Sequence, residues 1–80
     1  MAWVYILRGS RGRHYIGSCV NLGLRFAQHL RGHTATTKRL GTNIEIVAKK
    51  EVLTLEDARR IERALKPKKN PAHAIYHLQQ

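Results

Sequence analysis

Five side chains in this sequence have types and spacing suited to chemistry: Tyr5, Tyr15, Arg25, His29 and Glu62. Arg25 and His29 stand four residues apart, so on a helix they share a face. There they form either a phosphate clamp with a proton-transfer partner or the solvated edge of an amphipathic helix. Glu62 is surrounded in sequence by Arg59, Arg60, Arg63 and Lys66. Its carboxylate either holds a hard divalent cation, which takes oxygen ligands, or pairs with Lys66 at i+4 for about a few tenths of a kcal/mol. Tyr5 and Tyr15 suit strands, where aromatic rings ordinarily pack. Their phenols offer a second use, because nearby arginines and a metal favour the phenolate and bring it toward service as a general base. The acids are Glu45, Glu51, Glu56, Asp57 and Glu62 alone, scattered along the chain. That scatter argues against a two-metal carboxylate cluster and for a single ion completed by substrate phosphate and water. The lone Cys19 and five dispersed histidines have no zinc-site spacing.

Positioning these groups requires ordered elements. The run Ala2-Trp3-Val4-Tyr5-Ile6-Leu7 is β-branched and aromatic, and Arg8-Gly9-Ser10-Arg11-Gly12-Arg13 stops it with two glycines. A second strand, His14 to Ser18, completes a β-hairpin with a loop longer than the tightest type. Asn21 caps a helix whose buried face is expected at Leu22, Phe26 and Leu30, and Gly32 closes it. Residues 33–42 have no apolar period and read as an exposed loop. Ile44, Ile46 and Ala48 alternate with Glu45, Val47 and Lys49, which predicts a third strand with one buried face. Thr54 caps a second helix, with Glu56 and Asp57 in its first turn and Ala58, Ile61 and Leu65 on its buried side. Pro67 ends it, and Asn70-Pro71 starts a last helix carrying Ile75 and Leu78. The fold class is α/β (α+β): a small three-stranded mixed or antiparallel sheet flanked by helices, in the order β-β-α-β-α-α.

Eighty residues build one modest core and one domain. A hydrophobic share of 42% is too high for a disordered basic tail despite the net charge of +10. Fifteen Lys and Arg against five acids attract nucleic-acid phosphate. Charge alone favours a binder over an enzyme, since ribosomal and architectural proteins share this composition. The single cysteine points to a reducing compartment, the cytoplasm. The absence of an apolar run of roughly 18 residues, or of a signal-peptide layout, predicts a soluble protein with no membrane partner.

Val4-Tyr5-Ile6 and Tyr15-Ile16-Gly17 resemble the two halves of the GIY-YIG nuclease signature. Arg25, ten residues after Tyr15, and Glu62, within Arg60-Ile61-Glu62-Arg63-Ala64-Leu65-Lys66, are similar to the family's arginine and glutamate in order and element type. The resemblance covers nearly the whole chain and is closest to small stand-alone members. It implies a metal-dependent endonuclease hydrolysing phosphodiester bonds of nucleic acid, with DNA the expected substrate, RNA still open, and structure-directed cutting a possibility. Tyr5 would be the general base or proton relay, with Tyr15 aligning the water and phosphate. Arg25 would stabilise phosphate charge, His29 assist proton transfer, and Glu62 hold one Mg²⁺ or Mn²⁺. DNA repair and defence against foreign DNA both remain open as settings, and a partner protein or a homodimer is a further expectation.

The sequence departs from the family in places: Trp3 stands at the motif's first glycine, Ser18 where some relatives carry a basic residue, and Asn70, a match for a family asparagine, also reads as a helix cap. Gly17 is expected to let the strand end pass close to the substrate backbone. Arg8, Arg11 and Arg13 on the hairpin loop, with Lys38 and Arg39 on the long loop, are expected phosphate contacts, as is Ser18; loop residues Thr36 and Thr37 are weaker candidates. Such contacts give salt-sensitive affinity without sequence choice. The rival classes are a non-catalytic basic DNA- or RNA-binding module on the same fold and a small ribosome-associated protein.

Overall fold

A computed structural model describes residues 1–10, 12–31, 43–66 and 71–79. Three strands, β1 (Ala2–Arg8), β2 (His14–Cys19) and β3 (Glu45–Val52), form one antiparallel sheet in the order β2-β1-β3. Three helices complete the fold: α1 (Leu22–Leu30), α2 (Leu55–Leu65) and α3 (Pro71–Leu78). The element order is the one expected, and the sheet is antiparallel rather than mixed. The expected closures of α1 at Gly32 and α2 at Pro67, and the cap at Asn70, lie outside the described residues, as does the 33–42 loop.

β1 is the centre of the sheet, and its apolar run is continuous because both of its faces are covered. Ala2, Val4 and Ile6 join Ala48, Ala58, Leu65, Ala74 and Leu78 in a core beneath α2 and α3. On the other face Tyr5 and Leu7 join Cys19, Leu22 and Ile44 beneath α1. The hairpin turn between β1 and β2 depends on Gly12, whose φ of +77° is left-handed and favours glycine. Its N–H donates to the Gly9 carbonyl at 3.0 Å.

The third strand is not one-faced. Ile6 pairs with Ala48 while Leu7 pairs with Ile46, so Val47 is an extra residue in β3. This bulge reverses the alternation. Ile44 and Ile46 therefore lie on the α1 side, and Ala48 lies on the α2 side. At the far end of this pair, Arg8 and Glu45 stand opposite one another and form an ion pair across the strands.

α1 begins where Asn21 Oδ1 accepts the Leu24 N–H at 3.0 Å. Its buried face is also turned from the expected one. Leu22 and His29 are buried and Phe26 is half-buried, whereas Leu30 is 57% exposed. Residues 22, 26 and 29 make a helical stripe as regular as 22, 26 and 30, and the buried alternative carries a histidine. α2 matches expectation: Thr54 Oγ1 accepts the Asp57 N–H at 3.1 Å, and Ala58 and Leu65 are buried.

These positions give opposite outcomes in urea unfolding. Leu30→Gln changes stability by less than about 0.5 kcal/mol, while Ile6→Ala costs about 2 to 5 kcal/mol. A Leu30→Gln loss as large as that of Ile6→Ala would contradict the observed roll of α1.

Candidate active site

Tyr5 and Gly17 are direct partners in the β1–β2 ladder, and Tyr15 lies one step along on the same face, opposite Leu7. The glycine opens a hollow that both rings occupy. A Cβ at Gly17 would stand 2.6 Å from the Tyr5 hydroxyl oxygen and 2.9 Å from Cε1 of Tyr15, closer than side chains tolerate. Gly17 is buried beneath the phenols, so it has a packing role beside the close approach to substrate backbone expected of it. α1 closes the hollow with His29, whose Nε2 lies 3.1 Å from the Tyr5 hydroxyl. The Tyr15 and His29 ring centroids are 5.5 Å apart, and those of Tyr5 and Tyr15 are 6.1 Å apart. Tyr5 and His29 are almost fully buried, while Tyr15 is half-buried and forms the solvent side of the trio.

Burial decides the protonation of this cluster. It pushes the Tyr5 phenol well above its ordinary range, Tyr15 and Cys19 add to the effect, and Arg25 opposes it without prevailing. Of the arginines and metal expected together to favour the phenolate, the Arg25 guanidinium is outweighed at Tyr5 by desolvation. Burial lowers the His29 pKa, and Arg25 lowers it further. The tautomer of His29 sets which way this bond runs: with its proton on Nδ1 the imidazole accepts at Nε2 from the Tyr5 hydroxyl, and with its proton on Nε2 it donates to the Tyr5 oxygen. Tyr5 and His29 thus form a neutral donor–acceptor pair. Burial also raises the Cys19 thiol, which keeps it protonated and inert.

Ser18 points the opposite way from Gly17, toward α2, because side chains alternate along a strand. Its hydroxyl donates to Oε1 of Glu62 at 2.8 Å. The Lys66 ammonium donates to Oε2 at 3.0 Å, so the expected intrahelical ion pair is present. Glu62 lines a groove of about 510 Å³ with Ser18, Leu55, Glu56, Arg59 and Arg63. A second groove, of about 320 Å³, holds Arg25 and Gln28 and shares Ser18, Leu55 and Arg59 with the first. The two grooves meet at the edge strand β2, with Arg25 toward α1 and Glu62 on α2.

The structure thus brings Tyr5, Tyr15 and His29 into contact and sets Arg25 where its charge acts on both Tyr5 and His29. Glu62 is not on their face of the sheet. It lies round the β2 edge, bonded to the residue that follows Gly17. Ser18, expected to meet substrate, instead spends its hydroxyl on Glu62 while lining both grooves. Arg8, expected to bind phosphate, is paired with Glu45. Arg13 is exposed beside the hairpin turn. Arg11, Lys38, Arg39 and Asn70 lie outside the described residues, as do Thr36 and Thr37. Trp3 packs on the α1 side with the Lys49 ammonium 5.7 Å from its ring centre. Arg59 and Arg63, not expected as site residues, line the grooves. Their signal was present in the sequence, because Arg59, Glu62, Arg63 and Lys66 follow the i, i+3, i+4, i+7 spacing of one helical face. Among the described residues no group of three or more His, Cys, Asp or Glu side chains could hold a metal, so any ion here rests on few protein ligands.

The model of the GIY-YIG catalytic domain matches residues 1–75. The chain belongs to the GIY-YIG family. It shares that family's three-stranded antiparallel sheet with helices in the order β-β-α-β-α-α. GIY-YIG domains are nuclease domains, generally endonucleases, and their substrate is nucleic acid. No curated protein and no solved structure matches the chain significantly. No helix among the described residues is long and apolar enough to cross a membrane.

Two measurements test this GIY-YIG site without nucleic acid. Gly17→Ala forces the two phenols apart and costs about 1 to 3 kcal/mol of stability as overpacking, read by urea unfolding; an unchanged midpoint would contradict the hollow. His29, with its pKa depressed in the fold, takes up a proton less readily than the unfolded chain does. Its contribution is therefore complete above the ordinary value of 6.5 and is lost as pH falls through and below it. Unfolding midpoints at pH 7 and pH 5 should show a smaller acid loss in His29→Gln than in the unsubstituted protein, and equal losses would contradict the buried neutral imidazole.

Proposed function

We propose that this GIY-YIG protein is an endonuclease that hydrolyses DNA phosphodiester bonds with one Mg²⁺ or Mn²⁺ held at Glu62, and that it selects branched or nicked backbone rather than base sequence. The observation carrying this reading is the buried Tyr5–His29 hydrogen bond, set behind Tyr15 and within the field of Arg25, which itself lines a groove at the β2 edge. A binding module has no need of a buried phenol–imidazole pair, because a solvated arginine surface already holds phosphate.

In-line hydrolysis needs a deprotonated water, charge stabilisation on the phosphoryl oxygens and help for the leaving oxygen. Tyr15, half-exposed above Tyr5, aligns the water. As the water oxygen bonds to phosphorus and the bond to the leaving oxygen breaks, the water's proton passes to the Tyr5 oxygen and the Tyr5 proton to Nε2 of His29; burial disfavours the imidazolium, which gives up its proton as the product leaves. The relay avoids a buried phenolate, which the environment of Tyr5 strongly disfavours. Arg25 and Arg59 meet the phosphoryl oxygens from the two sides of the β2 edge.

The donor set at Glu62 fits a hard divalent ion. Its carboxylate lies in the groove with its side chain only 18% exposed, and Mg²⁺ keeps most of its waters when one or two carboxylates hold it. When bound, the ion supplies positive charge for the departing oxygen. Ser18 holds the carboxylate in place for it through the bond to Oε1. Selection by backbone rather than by base sequence is supported by Arg25, Arg59 and Arg63 in the grooves, whose guanidiniums suit phosphate contacts.

Cleavage of branched, nicked and plain DNA, with RNA in parallel, tests the reading in Mg²⁺ and in Mn²⁺. Arg25→Ala and Glu62→Gln should each slow cutting by about 10² to 10³, and Tyr5→Phe by about 10² to 10⁴, with Glu62→Gln keeping its affinity for DNA. Equal cutting by Glu62→Gln and the unsubstituted protein, or no cutting by either beside tight binding, would leave a binding module.

A further inference from the structure

Both oxygens of the Glu62 carboxylate are already engaged, by donors of different kinds. Ser18 is neutral, is carried on the ordered strand β2, and bonds Oε1 at 2.8 Å. Lys66 is charged, stands at the C-terminal end of α2 with its side chain 54% exposed, and bonds Oε2 at 3.0 Å. A hydroxyl beside a carboxylate tolerates a cation on the other oxygen. An ammonium at hydrogen-bond distance does not, because it and a divalent ion repel strongly at a few ångströms.

We infer that Lys66 is the resident counter-ion of Glu62 and the direct competitor of the divalent ion, which takes Oε2 only as Lys66 leaves. The inference rests on the proposed role of Glu62 as metal holder and adds a residue that controls its loading. Three features support it. Arg59 and Arg63 line the same groove beside Glu56, yet the cation in contact with the Glu62 carboxylate is Lys66. An exposed lysine ion pair is weak and exchanges readily. Lys66 also shares a helical face with Arg59 and Arg63, so its ammonium has a second partner of opposite charge whenever a phosphate enters the groove. Nucleic acid then draws Lys66 away from Glu62, and phosphate and metal assist one another's binding, as linkage requires.

Mn²⁺ titration of the intact chain, followed by paramagnetic broadening of the Ser18 and Glu62 amide signals in NMR spectra, measures the competition without catalysis. Lys66→Met, at an exposed position, should bind Mn²⁺ about tenfold more tightly than the unsubstituted protein, as expected when a charge in direct contact is removed. Arg63→Met removes the same charge from the same groove and should tighten binding less than about twofold, because groove charges not in contact are screened. Equal tightening in the two variants makes the effect one of net charge and overturns the inference, as does no tightening in Lys66→Met or no broadening in any protein. Glu62→Gln should abolish the local broadening. Broadening that persists there would instead remove Glu62 as the metal holder, an outcome separate from failure of the Lys66 competition.

Discussion

A single buried hydrogen bond, between the Tyr5 hydroxyl and Nε2 of His29, sets the terms for the rest of the molecule. Burying an imidazole and a phenol without partners would be costly, so α1 must be rolled until His29 rather than Leu30 faces the sheet. The hollow over Gly17 must also remain, since any side chain there would displace the phenols. A helix orientation and a glycine follow from one 3.1 Å contact, and the burial around it sets the protonation of both groups.

The edge strand β2 distributes the remaining groups. Gly17 and Cys19 face α1, and Ser18 between them faces α2, so consecutive residues serve the two helices. The phenols and imidazole gather on one face and the carboxylate on the other, and the grooves join where the sheet ends. A phosphate lying across that edge is within the field of Arg25 from one helix and Arg59 from another. A site built round an edge needs few acidic residues, which suits a chain with five acids and a net charge of +10.

Much of this was legible in the sequence. Strands β1 and β2, the caps at Asn21 and Thr54 and the buried side of α2 follow from periodicity and capping chemistry, and Tyr5, Tyr15, Arg25, His29 and Glu62 were visible as candidates. Other features were not. The bulge at Val47 inserts one residue into a ladder, and an alternating sequence carries no mark of it. The roll of α1 is ambiguous by one residue, and hydropathy prefers Leu30 although the hydrogen bond selects His29. Burial depth is also absent from sequence, which is why the desolvation that outweighs Arg25 at Tyr5 could not be read there. Arg59 and Arg63 were passed over although their helical spacing with Glu62 was available.

The central claim is that one phosphate at the β2 edge is served both by the Tyr5–His29 pair and by Glu62. A crystal structure of the Glu62→Gln protein on uncut branched DNA tests it most directly. The account predicts a single phosphate with the Arg25 guanidinium bonded to it, the Tyr15 and Tyr5 hydroxyls within one water of it, and the residue 62 side chain turned to the same phosphate. A phosphate seated in the α2 groove alone, with the Tyr5 hydroxyl sealed from it behind Tyr15 and β2, would contradict the account.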